Sequence, residues 1–440
     1  EFNAGDFSFV YPAASVSILL SELLPKSDIL SFAKVRASWA QVGGPPPFAY
    51  LTSSGYSITN VGDGWGDSLN WPINGVTGFE IDSILGNSDL TSELTEEIEF
   101  GIDFRFFNNR IGLDLAYYER QMTDAILNAS LPPSTGYNNV WLNSGRMSGR
   151  GIEATLNLGI VESENFSWNS QINFTSNENI VEELAPGLDK LFLAGFSSGG
   201  SYLIAGNQYG ALVGGAYLRS GNGGPNDDGL NVPDGDVVIN DDASSNEYGF
   251  QAVDPVQRAI GNPNPDFILG WNNQIRLGPV NVGFLFDWRE GGDMLNGVGW
   301  ALSFFGRSQL TADTRTEAPT PIVGVKSDGS PNDIPVVRDQ YYYQSSVGGF
   351  GSVWEQFTDD AGWIRLREVS LGYNIPLSSI GIDFIDSANI SVVGRNLWYS
   401  TDYNGVDPET SLTGVGNGQG VDYFNMPGTR SVLAKLKLNL

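Results

Sequence analysis

The sequence predicts an all-β chain folded as a transmembrane antiparallel β-barrel, and three observations carry that prediction. Long stretches alternate strictly between apolar and polar residues, and the links between them are short and long in turn. No apolar run reaches the ~20 residues that a spanning helix needs. The closing stretch 426–440 shows the pattern plainly: Val432, Ala434, Leu436, Leu438 and Leu440 fall on one face, and Lys435, Lys437 and Asn439 on the other. Apolar residues facing lipid and polar ones facing an aqueous interior give this pattern.

Residues 95–127 predict a hairpin. Ile98, Phe100, Ile102, Phe104 and Phe106 alternate with Glu97, Glu99, Gly101, Asp103 and Arg105; Asn108, Asn109 and Arg110 supply the turn; Ile111, Leu113 and Leu115 resume the apolar face. The alternation returns at Ile152, Ala154, Leu156 and Leu158 against Glu153, Thr155 and Asn157, then at Phe166, Trp168, Ile172 and Phe174 after a turn near 161–165. A further copy places Val282, Phe284, Phe286 and Trp288 on one face after a reversal at Leu277, Gly278, Pro279 and Val280. In 361–376 the phase slips, because Ile364 and Leu366 share a face with Glu368 while Val369, Leu371 and Tyr373 occupy the other, which predicts either a bulge or a segment covered by protein.

Laid down in order, the expected strands are thirteen, near 9–19, 32–43, 95–107, 111–126, 147–160, 166–179, 199–205, 208–219, 265–277, 281–290, 362–375, 387–400 and 429–440. The long links, near 44–93, 127–146, 180–198, 220–263, 290–361 and 401–428, are rich in Gly, Asn, Asp, Ser and Pro and are expected outside the cell, with the short turns in the periplasm. An odd strand count with two unpaired edges in lipid predicts that residues 1–440 are the C-terminal part of a larger barrel. The sequence begins at Glu1 without a basic-then-apolar leader, so an export signal is expected either to have been removed or to lie on sequence outside these residues.

Composition narrows the chemistry. The 440 residues hold no cysteine and no histidine, which removes disulfides, thiol nucleophiles, imidazole-based triads and ordinary zinc hydrolase sites, so no enzyme is expected. The formal charge of −28 argues against nucleic acid as a partner. Acidic residues are so frequent that paired carboxylates give no weight to a glycosidase.

Two sets of candidate site residues emerge. Segment 221–249 gathers Asp227, Asp228, Asp234, Asp236, Asp241 and Asp242 in a Gly-rich loop, a set of hard oxygen ligands suited to calcium; the alternative is a solvated acidic loop, since Val237 stands where a calcium loop has its turn glycine and no glutamate closes it. Aromatics in the long links could stack against sugar rings: Tyr56, Trp65, Trp71, Tyr137, Trp141, Trp300, Phe304, Tyr341, Tyr342, Tyr343, Trp354 and Tyr403. The alternatives for these are packing between loops and an interfacial girdle. Glu97, Glu99, Asp103, Arg105, Asp114, Glu153 and Asn157 are expected to face the lumen.

Six passages in order resemble the SusC-like branch of the TonB-dependent outer-membrane transporters of Bacteroidota: SFAKVRASWAQVGG (31–44), LTSELTEEIEFGIDFRFFNNRIGLDLAYYERQMTDAIL (90–127), NSGRMSGRGIEATLNL (143–158), IGNPNPDFILGWNNQIRL (260–277), AGWIRLREVSLGYNIP (361–376) and GRNLWYSTDYNGVDPET (394–410), followed by PGTR and a final strand. The resemblance implies a multi-pass barrel of the cell outer membrane with 22 strands, of which these would be roughly the last 13. It implies active import of an oligosaccharide or a peptide, a SusD-like lipoprotein lid, and energy from the TonB complex. The family's signal peptide, N-terminal domain, TonB-contacting segment, plug and first strands have no counterpart in this sequence. Family barrels usually finish on an aromatic residue, where this sequence has Leu440. The competing readings are a passive porin and a β-rich surface binding protein such as an adhesin.

Overall fold

The computed structural model describes residues 9–25, 27–61, 69–221, 224–225, 231–232, 235–345, 353–377, 385 and 387–439. Its main feature is one antiparallel ladder in which each wall strand pairs with the next in the chain. The strands are β1 (Ala13–Leu19), β2 (Leu30–Gly44), β3 (Glu93–Phe106), β4 (Ile111–Ser130), β5 (Asn139–Glu162), β6 (Phe166–Glu183), β7 (Phe267–Leu277), β8 (Val280–Glu290), β9 (Trp363–Ile375), β10 (Ser387–Thr401) and β11 (Ser431–Asn439). Sequential pairing with tight turns is how a chain builds a meandering wall without long crossovers.

The register explains the alternation. Ile18, Val35, Ile102, Leu115, Ala154, Phe174, Leu269, Trp288 and Ile364 are successive partners across β1 to β9, one unbroken apolar row around the wall. That face is left open: Phe100 is 56 % exposed, Leu436 62 % and Val432 71 %. Rows of bare aromatic and aliphatic side chains suit hydrocarbon and would drive aggregation in water. The opposite face carries the polar set expected for the lumen, and Arg36 joins Glu99 and Asp114 there, each at 3.2 Å. Small residues make room for it, since a Cβ on Gly101 would stand 2.3 Å from the Arg36 guanidinium carbon.

The links alternate as expected. Residues 107–110, 163–165 and 278–279 turn tightly, whereas 45–92, 184–266, 291–362 and 402–430 are long. Two expectations need correction. Residues 199–205 and 208–219 are not wall strands: Gly199–Ile204 and Ala211–Gly214 belong to a separate four-stranded sheet with Lys190–Phe196 and Arg258–Gly261. Every residue of Ala211–Gly214 is buried and all but the last of Gly199–Ile204, so neither has a lipid-facing row; among the described residues the sequential ladder runs through the eleven strands β1 to β11. The link expected at 127–146 is also mostly wall, because β4 and β5 pair up to Ser130 and Asn139 and leave only 131–138 between them.

The long links fold together outside the wall. Leu212, Leu295, Trp300, Trp354, Phe357 and Val421 make one buried cluster drawn from three connections, and Tyr217, Phe250, Tyr342, Tyr343 and Val353 make another. Asp293–Asn296 pairs with both Thr358–Asp360 and Val421–Asp422, so a second small sheet ties 291–362 to 402–430.

Candidate functional site

The phase slip at 361–376 is a bulge. Leu366 pairs with Trp398 and Glu368 with Arg395, so Arg367 alone opposes Asn396 and Leu397, and Asn396 takes a left-handed φ of 51°. The bulge directs two arginines into one acidic cluster. Arg365 is buried against Asp407, lies 3.0 Å from Glu409 and stacks 4.6 Å from the Tyr399 ring centroid. Arg367 donates to Asp287 at 2.7 Å and to Glu409 at 2.6 and 2.9 Å. Asp407 also accepts from the amides of Glu409 (3.1 Å) and Gly428 (2.8 Å). Two of the quoted passages, 361–376 and 394–410, thus meet in one ion-pair cluster that fastens the 402–430 connection to the wall.

Close by, Tyr403 donates its hydroxyl to buried Asp422 at 2.8 Å. Burial pushes the Asp422 carboxyl above the usual carboxylate range and the Tyr403 phenol above its ordinary value.

The cavity with the features of a ligand site lies in the 291–362 connection. It has a volume of about 550 Å³ and is framed by α1 (Gly297–Phe304), α2 (Gln309–Thr314) and α3 (Gln340–Gln344), with Phe304, Arg307, Arg315, Arg338 and Tyr343 in its lining. Two hydrogen bonds brace it: a buried one between Thr314 and the Tyr343 hydroxyl at 2.9 Å, and a half-buried one from Ser303 to Ser308 at 2.9 Å. Gln344 donates to the Phe304 carbonyl at 3.2 Å and holds α3 to α1. A groove of about 530 Å³ on the outward wall is different in kind, because its polar groups already pair, Arg150 with Glu178 at 2.6 Å and Ser148 with Glu182 at 2.5 Å.

The aromatic candidates separate by burial. Phe304 is half-buried in the cavity lining; Tyr343 backs the cavity but is itself buried in the cluster with Tyr342; Tyr341 is 46 % exposed and packs against Phe250. Trp300 and Trp354 are buried against each other, ring centroids 4.6 Å apart, and Tyr342 and Tyr403 are buried too, so these four hold connections together. Tyr56 is open to solvent, Trp71 packs under Gly78, Trp141 meets Phe48 edge-on at 6.0 Å, and Tyr137 is half-buried near the rim. Trp65 lies outside the described residues, as do Asp227, Asp228 and Asp234. Asp241 accepts from the Ser327 hydroxyl at 2.7 Å and Asp242 from the Ser244 hydroxyl at 2.7 Å, while Asp236 is exposed. Among the described residues no group of three acidic side chains is placed to hold a metal ion. Arg365, Arg367 and the arginine-lined cavity were not foreseen; the three charges within 365–368, on a strand with a phase slip, are the signal that would have found the first two.

Comparison with known proteins agrees with this architecture. The family profile described as "TonB dependent receptor-like, beta-barrel" matches residues 2–254. Two TonB-dependent receptors of Formosa agariphila are 26 % and 27 % identical over 100 % and 97 % of the chain, which spans 42 % of each. The TonB-dependent receptor SusC of Bacteroides thetaiotaomicron is 25 % identical over 41 % of the chain and 18 % of its own length. In fold, the chain is similar to the solved RagAB peptide transporter, with a TM-score of 0.71 at 19 % identity over 99 % of this chain and 44 % of that one. The chain thus spans about two fifths of the length of the curated relatives that match it throughout. With a lipid-facing wall and a profile match over more than half its length, the chain belongs to the TonB-dependent receptor-like β-barrel family of the outer membrane.

Proposed function

We propose that the full-length protein imports a large nutrient, an oligosaccharide or a peptide, across the outer membrane with energy from the TonB complex and with a SusD-like lipoprotein over its mouth. Family membership is the observation that carries this reading, and the folded scaffold at the mouth supports it, since three connections sharing one buried core offer a shaped surface to a large solute. On the same reading residues 1–440 are the C-terminal part of the barrel. This reading is supported by the ladder, whose end strands β1 and β11 do not pair with each other among the described residues, since open edges are costly in lipid.

The test is uptake of fluorescent oligosaccharides and peptides by cells carrying the full-length protein. Energised import is lost when the proton-motive force is collapsed or TonB is deleted. Uptake that persists unchanged would make the protein a passive porin instead, and surface binding without uptake would make it an adhesin.

A further inference from the structure

All three arginines of the 291–362 connection, Arg307, Arg315 and Arg338, converge on the one cavity of about 550 Å³. In a chain with 51 acidic and 23 basic residues, a cationic cavity is the opposite of what composition alone would place there. Three guanidinium groups lining one small space make it locally cationic, and an anion entering among them gains their combined attraction.

The nearby carboxylates offset that charge only in part. Asp339 is held as the cap of α3, accepting from the amides of Tyr341 (2.9 Å) and Tyr342 (3.2 Å), and Glu317 pairs with Arg338 at 2.5 Å. Arg315 donates to the Gly306 carbonyl at 3.1 Å. Neither Arg307 nor Arg315 forms an ion pair among the described residues, and both are exposed. Guanidinium forks match carboxylates two bonds at a time, and the flanking Phe304 and Phe305 rings supply faces for apolar stacking. The volume falls in the range of small-ligand sites.

We propose that this cavity binds carboxylate groups of the imported oligomer, so that the protein selects acidic substrates over neutral ones. The proposal rests on the import reading and assigns its substrate class. A uronic oligosaccharide and an acidic peptide present the same chemistry, and the test separates them.

The test is calorimetry on the detergent-solubilised full-length protein with an oligogalacturonate, an oligoglutamate and a neutral glucan oligomer of equal length. At least one acidic oligomer binds tenfold or more tightly than the neutral one, and the preference falls about tenfold in Arg307→Gln/Arg315→Gln. Arg307→Gln alone, at an exposed side chain without an ion pair, gives part of that loss and keeps the test valid if the double variant folds poorly. Oligogalacturonate preference points to a glycan, oligoglutamate preference to a peptide. Equal binding of acidic and neutral oligomers, or acidic binding indifferent to both variants, overturns the proposal. Uptake in the same strains separates the two readings: energised but charge-blind uptake refutes the cavity and keeps import, whereas arginine-dependent binding without energised uptake refutes import.

Discussion

The wall and the external scaffold are made from the same acid-rich chain and solve opposite solvent problems. In the wall, large apolar side chains such as Phe100 stand outward and exposed, while Arg36, Glu99 and Asp114 pair on the inner face. In the scaffold, Trp354 is 1 % exposed and the apolar groups turn inward. The wall's order comes from a continuous backbone ladder, which tolerates many side chains so long as polarity alternates. The scaffold's order comes from packing specific shapes together, which does not. The two therefore respond to different kinds of substitution.

The largest expected effect lies at the joint between them. Arg365→Ala leaves buried Asp407 without its cation, which costs about 3–5 kcal/mol where the partner stays buried. Hydrogen exchange should rise in 402–430 while β1 to β8 keep their protection. Equal loss in both regions would show that they melt as one unit and break the comparison.

Next in size is a charge in the wall. Leu156→Lys, in the middle of the β5 apolar row, should destabilise by about 2–4 kcal/mol in lipid vesicles. Asn157→Lys, one residue on and facing inward, loses the bond from Gln171 and should cost about 1 kcal/mol at most. Urea unfolding of the two variants side by side measures the difference, and similar costs would contradict the face assignment.

In the scaffold, overpacking replaces charge as the sensitive perturbation. A Cβ on Gly214 would stand 2.7 Å from the Trp354 Cβ, so Gly214→Ala should cost about 1–3 kcal/mol, visible as a shift in the Trp fluorescence transition. An unchanged transition would mean that the Trp354 cluster is looser than its geometry.

The smallest effect is in pH dependence. Burial raises the Asp422 carboxyl in the folded state, so the fold holds that proton more tightly than the unfolded chain does. Its contribution is therefore lost as pH rises from the ordinary carboxylate range through the raised value, at about 1.4 kcal/mol for each tenfold difference in proton affinity. Asp422→Asn keeps an acceptor for Tyr403 and should flatten scaffold stability across that window. A slope identical to that of the unsubstituted protein would place its origin elsewhere.

The wall was legible in the sequence because its signal is local: period-two alternation needs only a strand and two solvents. The phase slip within 361–376 was legible too, although the register with β10 was needed to place the bulge at Arg367. The scaffold was not legible in the same way. Gly199–Ile204 has the composition of a strand but no alternation, and only contact with Trp354 from a connection far along the chain explains why Gly199 must lack a side chain there. Burial of Trp300, Trp354 and Tyr403, and the meeting of Arg307, Arg315 and Arg338, depend on which links fold together, and spacing along the chain carries none of that.

The alternating row of β3 faces lipid, and the orientation of the whole wall depends on it. The most direct measurement places single spin labels at successive positions 97–106 of the full-length protein in bilayers and compares relaxation by oxygen with relaxation by a polar nickel chelate. Positions 98, 100, 102, 104 and 106 should favour oxygen and 97, 99, 101, 103 and 105 should not, with a period of two residues. A flat profile, or oxygen maxima at the odd positions, would contradict the lipid-facing wall.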